Sequence, residues 1–261
     1  MTRHSLSTVA ATITVLCLAS FGARAESVNK TLDGKAFSID VTCVDRVDIR
    51  PQAGLVGKVV VDATSTKDGE LQDFVFKGGE AAAVTRERHS CPSGNDRPKT
   101  TVSIQVPAGM PISVRNSGST GYTIGPVGGS LHADLSGSGY LTAVSATDLD
   151  IHITGSSNVN VGQAHGPAEV QIAGSGDVHI GDAEMPSLKI KVSGSGNIAI
   201  DNGGIGTLTA SVAGSGDLKA MATVQDATLS TAGSGNIEVA KVTGNLSSSK
   251  AGSGTIRAGR S

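Results

Sequence analysis

Ala173-Gly174-Ser175-Gly176-Asp177-Val178 returns 20 residues later as Ser193-Gly194-Ser195-Gly196-Asn197-Ile198, and again as Ala213-Gly214-Ser215-Gly216-Asp217-Leu218. Working outward, Gly-Ser-Gly-like tripeptides also centre on Ser119, Ser138, Ser156, Ser234 and Ser253. The eight serines are spaced 19, 18, 19, 20, 20, 19 and 19 residues apart. A period that steady is the signature of a solenoid, in which each turn buries its apolar side chains only against the turns beside it.

The residues flanking the tripeptides fix the kind of solenoid. Leu131-His132-Ala133-Asp134-Leu135, Leu149-Asp150-Ile151-His152-Ile153 and Leu188-Lys189-Ile190-Lys191-Val192 precede the glycines. Asn158-Val159-Asn160-Val161 and Asp177-Val178-His179-Ile180 follow them. Apolar residues fall at every second position, the period of a half-buried strand and not of a helix. Two strands, a glycine corner and a return bend in about 19 residues predict an all-β fold, a right-handed parallel β-helix. Its turns would stack ~4.8 Å apart, so seven intervals span ~34 Å. Inward alanines such as Ala133, Ala143, Ala210 and Ala220, and the absence of tryptophan, imply a narrow interior.

Stacking converts the repeat into columns. The serine column, Ser138, Ser156, Ser175, Ser195, Ser215 and Ser234, carries no histidine within the motif. It reads as a hydroxyl ladder bonding the corner backbone and not as a set of nucleophiles. The next column holds Asn158, Asp177, Asn197, Asp217 and Asn236. Each aspartate there lies between two asparagines, whose amides can donate to it, so the column reads as an Asx ladder. Calcium-binding β-rolls repeat every nine residues with an aspartate in each; the doubled period and alternating Asp and Asn here argue against them.

Residues 26–110 lack the tripeptide but alternate in Phe37-Ser38-Ile39-Asp40-Val41, Val47-Asp48-Ile49, Lys58-Val59-Val60-Val61-Asp62 and Val102-Ser103-Ile104-Gln105-Val106. They are expected to form strand-rich N-terminal coils or a cap, with a polar loop from Arg86 to Lys99. Residues 111–261 form the repeat region. In the last coil Ser247, Ser248, Ser249 and Lys250 replace the pattern, a polar ending that discourages edge-to-edge polymerisation.

Residues 1–25 read as an export signal: Arg3 and His4, an apolar stretch from Val9 to Phe21, and a cleavage site at Ala23-Arg24-Ala25. The stretch is too short for a membrane anchor, and Cys17 inside it is expected to be discarded. Removing Arg3 and Arg24 leaves 19 basic against 23 acidic residues, a net charge of −4. Nothing in that balance invites nucleic acid. Downstream, no apolar segment approaches the ~20 residues of a spanning helix. Cys43 and Cys91, in an exported chain, are expected to form a disulfide worth on the order of 4 kcal/mol in the loop-entropy model. The alternative, a redox or metal-binding pair, lacks CxxC spacing and has only His89 nearby.

The tandem strand, Gly-Ser-Gly, Asn/Asp, Ile/Val motif resembles the bacterial head GIN domain family, often labelled auto-transporter adhesin, across most of residues 35–258. The resemblance implies a right-handed parallel β-helix in the periplasm, in the cell envelope or outside the cell. It implies no catalytic residues and no cofactor.

Two function classes follow. One is a non-catalytic, adhesin-like binding or structural module whose partner is an envelope protein or glycan, with coil ends that leave self-association open. The other is a polysaccharide-active β-helix enzyme, which would need clustered carboxylates and aromatic sugar platforms; the chain has two tyrosines and no recurring acidic cluster. The first is expected, and no enzyme. One patch stands out. Registering the coils on their glycines stacks Ser113, His132, Asp150, Glu169 and Lys189 in one outward column and Arg115, Asp134, His152, Gln171 and Lys191 in the next. His132, Asp134, Asp150 and His152 then form a two-by-two checkerboard that reads either as a charge-complementary ladder or as a zinc-type surface site.

Overall fold

The computed structural model describes residues 25–86, 88, 91, 94 and 97–260. The export signal, apart from Ala25, lies outside these residues, as do Cys17 and His89. The fold is a parallel β-solenoid of about eight turns with about 19 residues per coil, with no helix among the described residues.

Successive coils pair in strict parallel register. Ser130–Leu135 lies on Asp148–Ile153, which lies on Ala168–Gly174, which lies on the first-sheet half of Val178–Gly194. A second sheet runs through Gly121–Pro126, Tyr140–Ala146 and Asn158–Ala164. Register puts like residues on like. Leu131, Leu149, Ala168, Leu188, Leu208 and Ala227 make one inward column, and Leu141, Val159, Val178, Ile198, Leu218 and Ile237 face it from the other sheet. All of these are buried. Dispersion between thin stacked layers and continuous backbone ladders replace the bulky side chains of a globular core.

The corner explains the tripeptide. A Cβ on the second glycine would stand 2.2 Å from the carbonyl oxygen of the preceding coil at Gly176, Gly196 and Gly235, so no larger residue fits an unshifted backbone there. The 20-residue coils hide their extra residue in the return bend, where the register shifts between Ile200 and Gly204 and Gly203 takes φ +121°.

The N-terminal region is stacked out of sequence order. Ala36–Val41 and Arg46–Gln52 form a coil wedged between Ile112–Asn116/Gly121–Pro126 on one side and Ala81–Arg86/Thr100–Pro107 on the other. The second written strand pair is therefore the first coil of the stack. Lys58–Ser65 runs antiparallel to Thr100–Pro107, and Glu26–Asp33 antiparallel to it in turn, closing that end. The Cys43–Cys91 disulfide, with Cα atoms 5.2 Å apart, links the corners of the two neighbouring coils. Arg86, fully buried beside it, donates to the Cys43 carbonyl at 3.0 Å and to Glu70 Oε2 at 3.0 Å, and lies over the Phe74 ring.

The opposite end closes differently. Ser248 and Lys250 occupy the inward columns above Leu229 and Thr231, so polar side chains finish the core. Thr231 turns its hydroxyl to donate to the Gly235 carbonyl at 2.9 Å.

Candidate functional site

Side chains on the outer face of the first sheet alternate with the core residues, so every inward apolar column implies an outward one beside it. Observed register gives Ser113, His132, Asp150, Glu169 and Lys189 in one column and Arg115, Asp134, His152, Gln171 and Lys191 in the next, the arrangement read from the glycine spacing. The sequence missed one member. Asp40 pairs with Arg115 and extends the second column, because the coil holding it is inserted out of order and carries no tripeptide to register it.

The checkerboard closes into a ring. His132 Nδ1 lies 2.9 Å from Asp150 Oδ2, and its Nε2 lies 3.0 Å from Asp134 Oδ2. His152 Nδ1 lies 3.4 Å from Asp134 Oδ1, and its Nε2 lies 3.2 Å from Asp150 Oδ1. Each carboxylate thus presents one oxygen to each imidazole. The two rings meet edge-on, with centroids 5.7 Å apart. All four side chains are half-exposed.

Electrostatics follow from the pairing. Partial burial alone would lower the His132 pKa, but hydrogen bonds to Asp134 and Asp150 outweigh it and hold the imidazolium above its ordinary range. Burial likewise would raise Asp134, yet His132, Arg115 (3.5 Å) and His152 hold its carboxyl below the usual value. Glu169 is lowered chiefly by Lys189 at 2.8 Å, and it also accepts from Gln171 Nε2 at 2.7 Å.

Three shallow depressions meet at this ring. One of about 250 Å³ is lined by Asp40, Arg115, Asp134 and His152. A second, about 480 Å³, is lined by His132, Asp148, Asp150, Glu169 and Lys189. A third, about 310 Å³, has Asp134, His152, Gln171 and Lys191 along it.

The ring limits the chemistry. Ser113, His132 and Asp150 follow one another in a column, which supplies a hydroxyl, a base and an orienting acid. Both imidazole nitrogens of His132 are held by carboxylates, so neither is free to take the serine proton. Among the described residues, no group of three or more His, Cys, Asp or Glu is arranged to hold a metal ion. The four donors of the zinc reading, His132, Asp134, Asp150 and His152, face one another in this arrangement.

The corner columns differ from expectation in one respect. Ser138, Ser156, Ser175, Ser195, Ser215 and Ser234 are all exposed. Their backbone N–H groups, and not their hydroxyls, carry the ladder: the Ser195 amide donates to the Gly174 carbonyl and the Ser215 amide to the Gly194 carbonyl, both at 2.9 Å. Ser234 and Ser253 add one hydroxyl contact at 3.2 Å. In the Asx column the Asp177, Asn197, Asp217 and Asn236 amides each donate to the Oδ1 of the Asx one coil earlier, at 2.8–3.2 Å. The Asn197 and Asn236 side chains donate to Asp177 and Asp217 as well, at 3.0 and 2.9 Å.

Residues 150–259 match the family described as "Putative auto-transporter adhesin, head GIN domain". The solved structures similar to this chain include a "putative adhesin" from Parabacteroides merdae, 17% identical, covering 90% of this chain and 96% of that one with a TM-score of 0.68. A "putative adhesin" from Bacteroides fragilis is 20% identical over 89% and 96%, with a TM-score of 0.57. A "putative lipid binding protein" from Parabacteroides distasonis is 17% identical over 92% and 98%, also at 0.57. At these identities the likeness establishes the fold. No curated protein matches the chain.

Proposed function

We propose, from the match of residues 150–259 to the head GIN domain family, that this protein is an exported, non-catalytic binding module of the cell envelope. It meets its partner, an envelope protein or a glycan, through the outer face of the first sheet around His132 and His152. The observation that carries the reading is the convergence of three open depressions on one patch whose central charged groups, His132, Asp134, Asp150, His152, Glu169 and Lys189, are paired with one another. A face of that kind offers fixed, alternating donors and acceptors to a complementary surface. Both ring nitrogens of His132 and of His152 face carboxylates, which leaves neither imidazole open to act as a base. Export rests on the N-terminal signal read from the sequence. Among the described residues, no helix is long and apolar enough to cross a membrane.

The test is capture from an envelope fraction by the immobilised mature protein, alongside a glycan array. The comparison variants are Glu169→Lys with Gln171→Lys on the proposed face, and Asn160→Lys on the second sheet. The reading expects the double variant to lose at least tenfold in capture while Asn160→Lys binds like the wild type. Equal capture by all three, or no capture at all, contradicts it.

A further inference from the structure

We propose that the ring of His132, Asp134, Asp150 and His152 is a proton-operated fastener between neighbouring coils, fully closed only when its imidazoles carry both ring protons. The inference stands apart from the binding face, since it concerns how the ring holds, whatever docks upon it.

Proton count is the physical reason. A neutral imidazole has one N–H donor and one lone pair. Each imidazole here has a carboxylate oxygen at both nitrogens: 2.9 and 3.0 Å for His132, 3.4 and 3.2 Å for His152. A neutral ring would therefore aim a lone pair at a carboxylate. Only the imidazolium donates to both sides. With two imidazoliums and two carboxylates the ring is neutral: His132 donates a charge-assisted hydrogen bond to each carboxylate, and His152 faces both as an ion pair. With two neutral imidazoles it carries a charge of −2 and at most two donated bonds.

The surroundings do not substitute for those protons. Arg115, on the preceding coil, reaches Asp134 at 3.5 Å and sits in register with Asp40, a further negative charge beside the ring. On the following coil Glu169 is engaged by Lys189 and Gln171. Lys191 lies beyond Gln171, three coils from Asp134. Ser38 and Ser113 carry no charge. The strands cannot carry the pairs apart without breaking the parallel ladder, so loss of the protons opens the ring through the half-exposed side chains, which turn toward solvent.

The direction of each shift sets the window. The raised His132 value gives a contribution complete below about 6.5 and lost as pH climbs through the raised value. The lowered Asp134 value gives one complete above about 3.8 and lost as pH falls through the depressed value. The fastener is tightest between the two.

Thermal unfolding of the mature protein from pH 5 to 9 tests this, with His132→Asn/His152→Asn as the variant and His179→Asn, which removes an imidazole paired with Asp201 at 2.8 Å, as the control. The expected result is a wild-type Tm that falls by about 2–4 °C from pH 6 to 8.5 in excess of the double variant, with the control following the wild type. Imidazole 15N spectra at pH 6 provide the direct readout, independent of stability: His132 should show both nitrogens protonated. In Asp134→Asn/Asp150→Asn its midpoint should drop toward 6.5. A singly protonated His132 at pH 6, or identical pH slopes for wild type and double variant, overturns the proposal.

Discussion

Gly196 lies so close to Gly176 of the preceding coil that a Cβ on it would stand 2.2 Å from the Gly176 carbonyl oxygen. Ser195, one residue earlier, points its hydroxyl into solvent while its amide holds the ladder. The two residues of one tripeptide therefore carry opposite mutational costs. Gly196→Ala should destabilise the protein by about 1–3 kcal/mol, because backbone on both sides must move. Ser195→Ala should stay within about 0.5 kcal/mol. Urea unfolding measures both, and a large loss from Ser195→Ala would restore a hydroxyl ladder.

Asp217 Oδ1 accepts from both the amide and the side chain of Asn236, at 2.8 and 2.9 Å. Asp217→Ala removes both acceptors at an exposed corner and should cost about 1 kcal/mol. Asp217→Asn keeps an Oδ1 in place and should recover most of that. Chemical denaturation of the pair distinguishes the acceptor role from a general charge effect, in which case Asn would fare no better than Ala.

Ser157 occupies the place of the second glycine in its coil, fully buried, and its Oγ has no hydrogen-bond partner among the described residues. A buried hydroxyl left unpaired costs about 1–3 kcal/mol. Ser157→Ala should accordingly raise stability by about 1 kcal/mol. A fall in the urea midpoint would show that the hydroxyl is satisfied after all.

The repeat itself made most of the fold legible. Glycine spacing placed His132 over Asp150 and Asp134 over His152 without coordinates, because parallel stacking leaves no freedom in register once the corner is known. Two kinds of information were not written locally. Asp40 joins the second column through an inserted coil whose strands pair with residues 45 to 75 positions away, and no corner motif announces it. The roles of hydroxyl and amide at Ser175 or Ser195 depend on which side of the corner faces solvent, and alternation alone does not specify that. The ring was visible as four residues on one patch; its closure through paired donors depends on imidazole orientation, which only packing determines.

The stack in register is the claim on which the columns, the ring and the binding face all depend. Spin labels at Ser138→Cys and Ser253→Cys, in the mature protein with its native disulfide intact, measure it in solution by pulsed electron resonance. Six coil intervals predict a single narrow distance near ~29 Å. A broad distribution, or a separation far from six layers, would contradict the account.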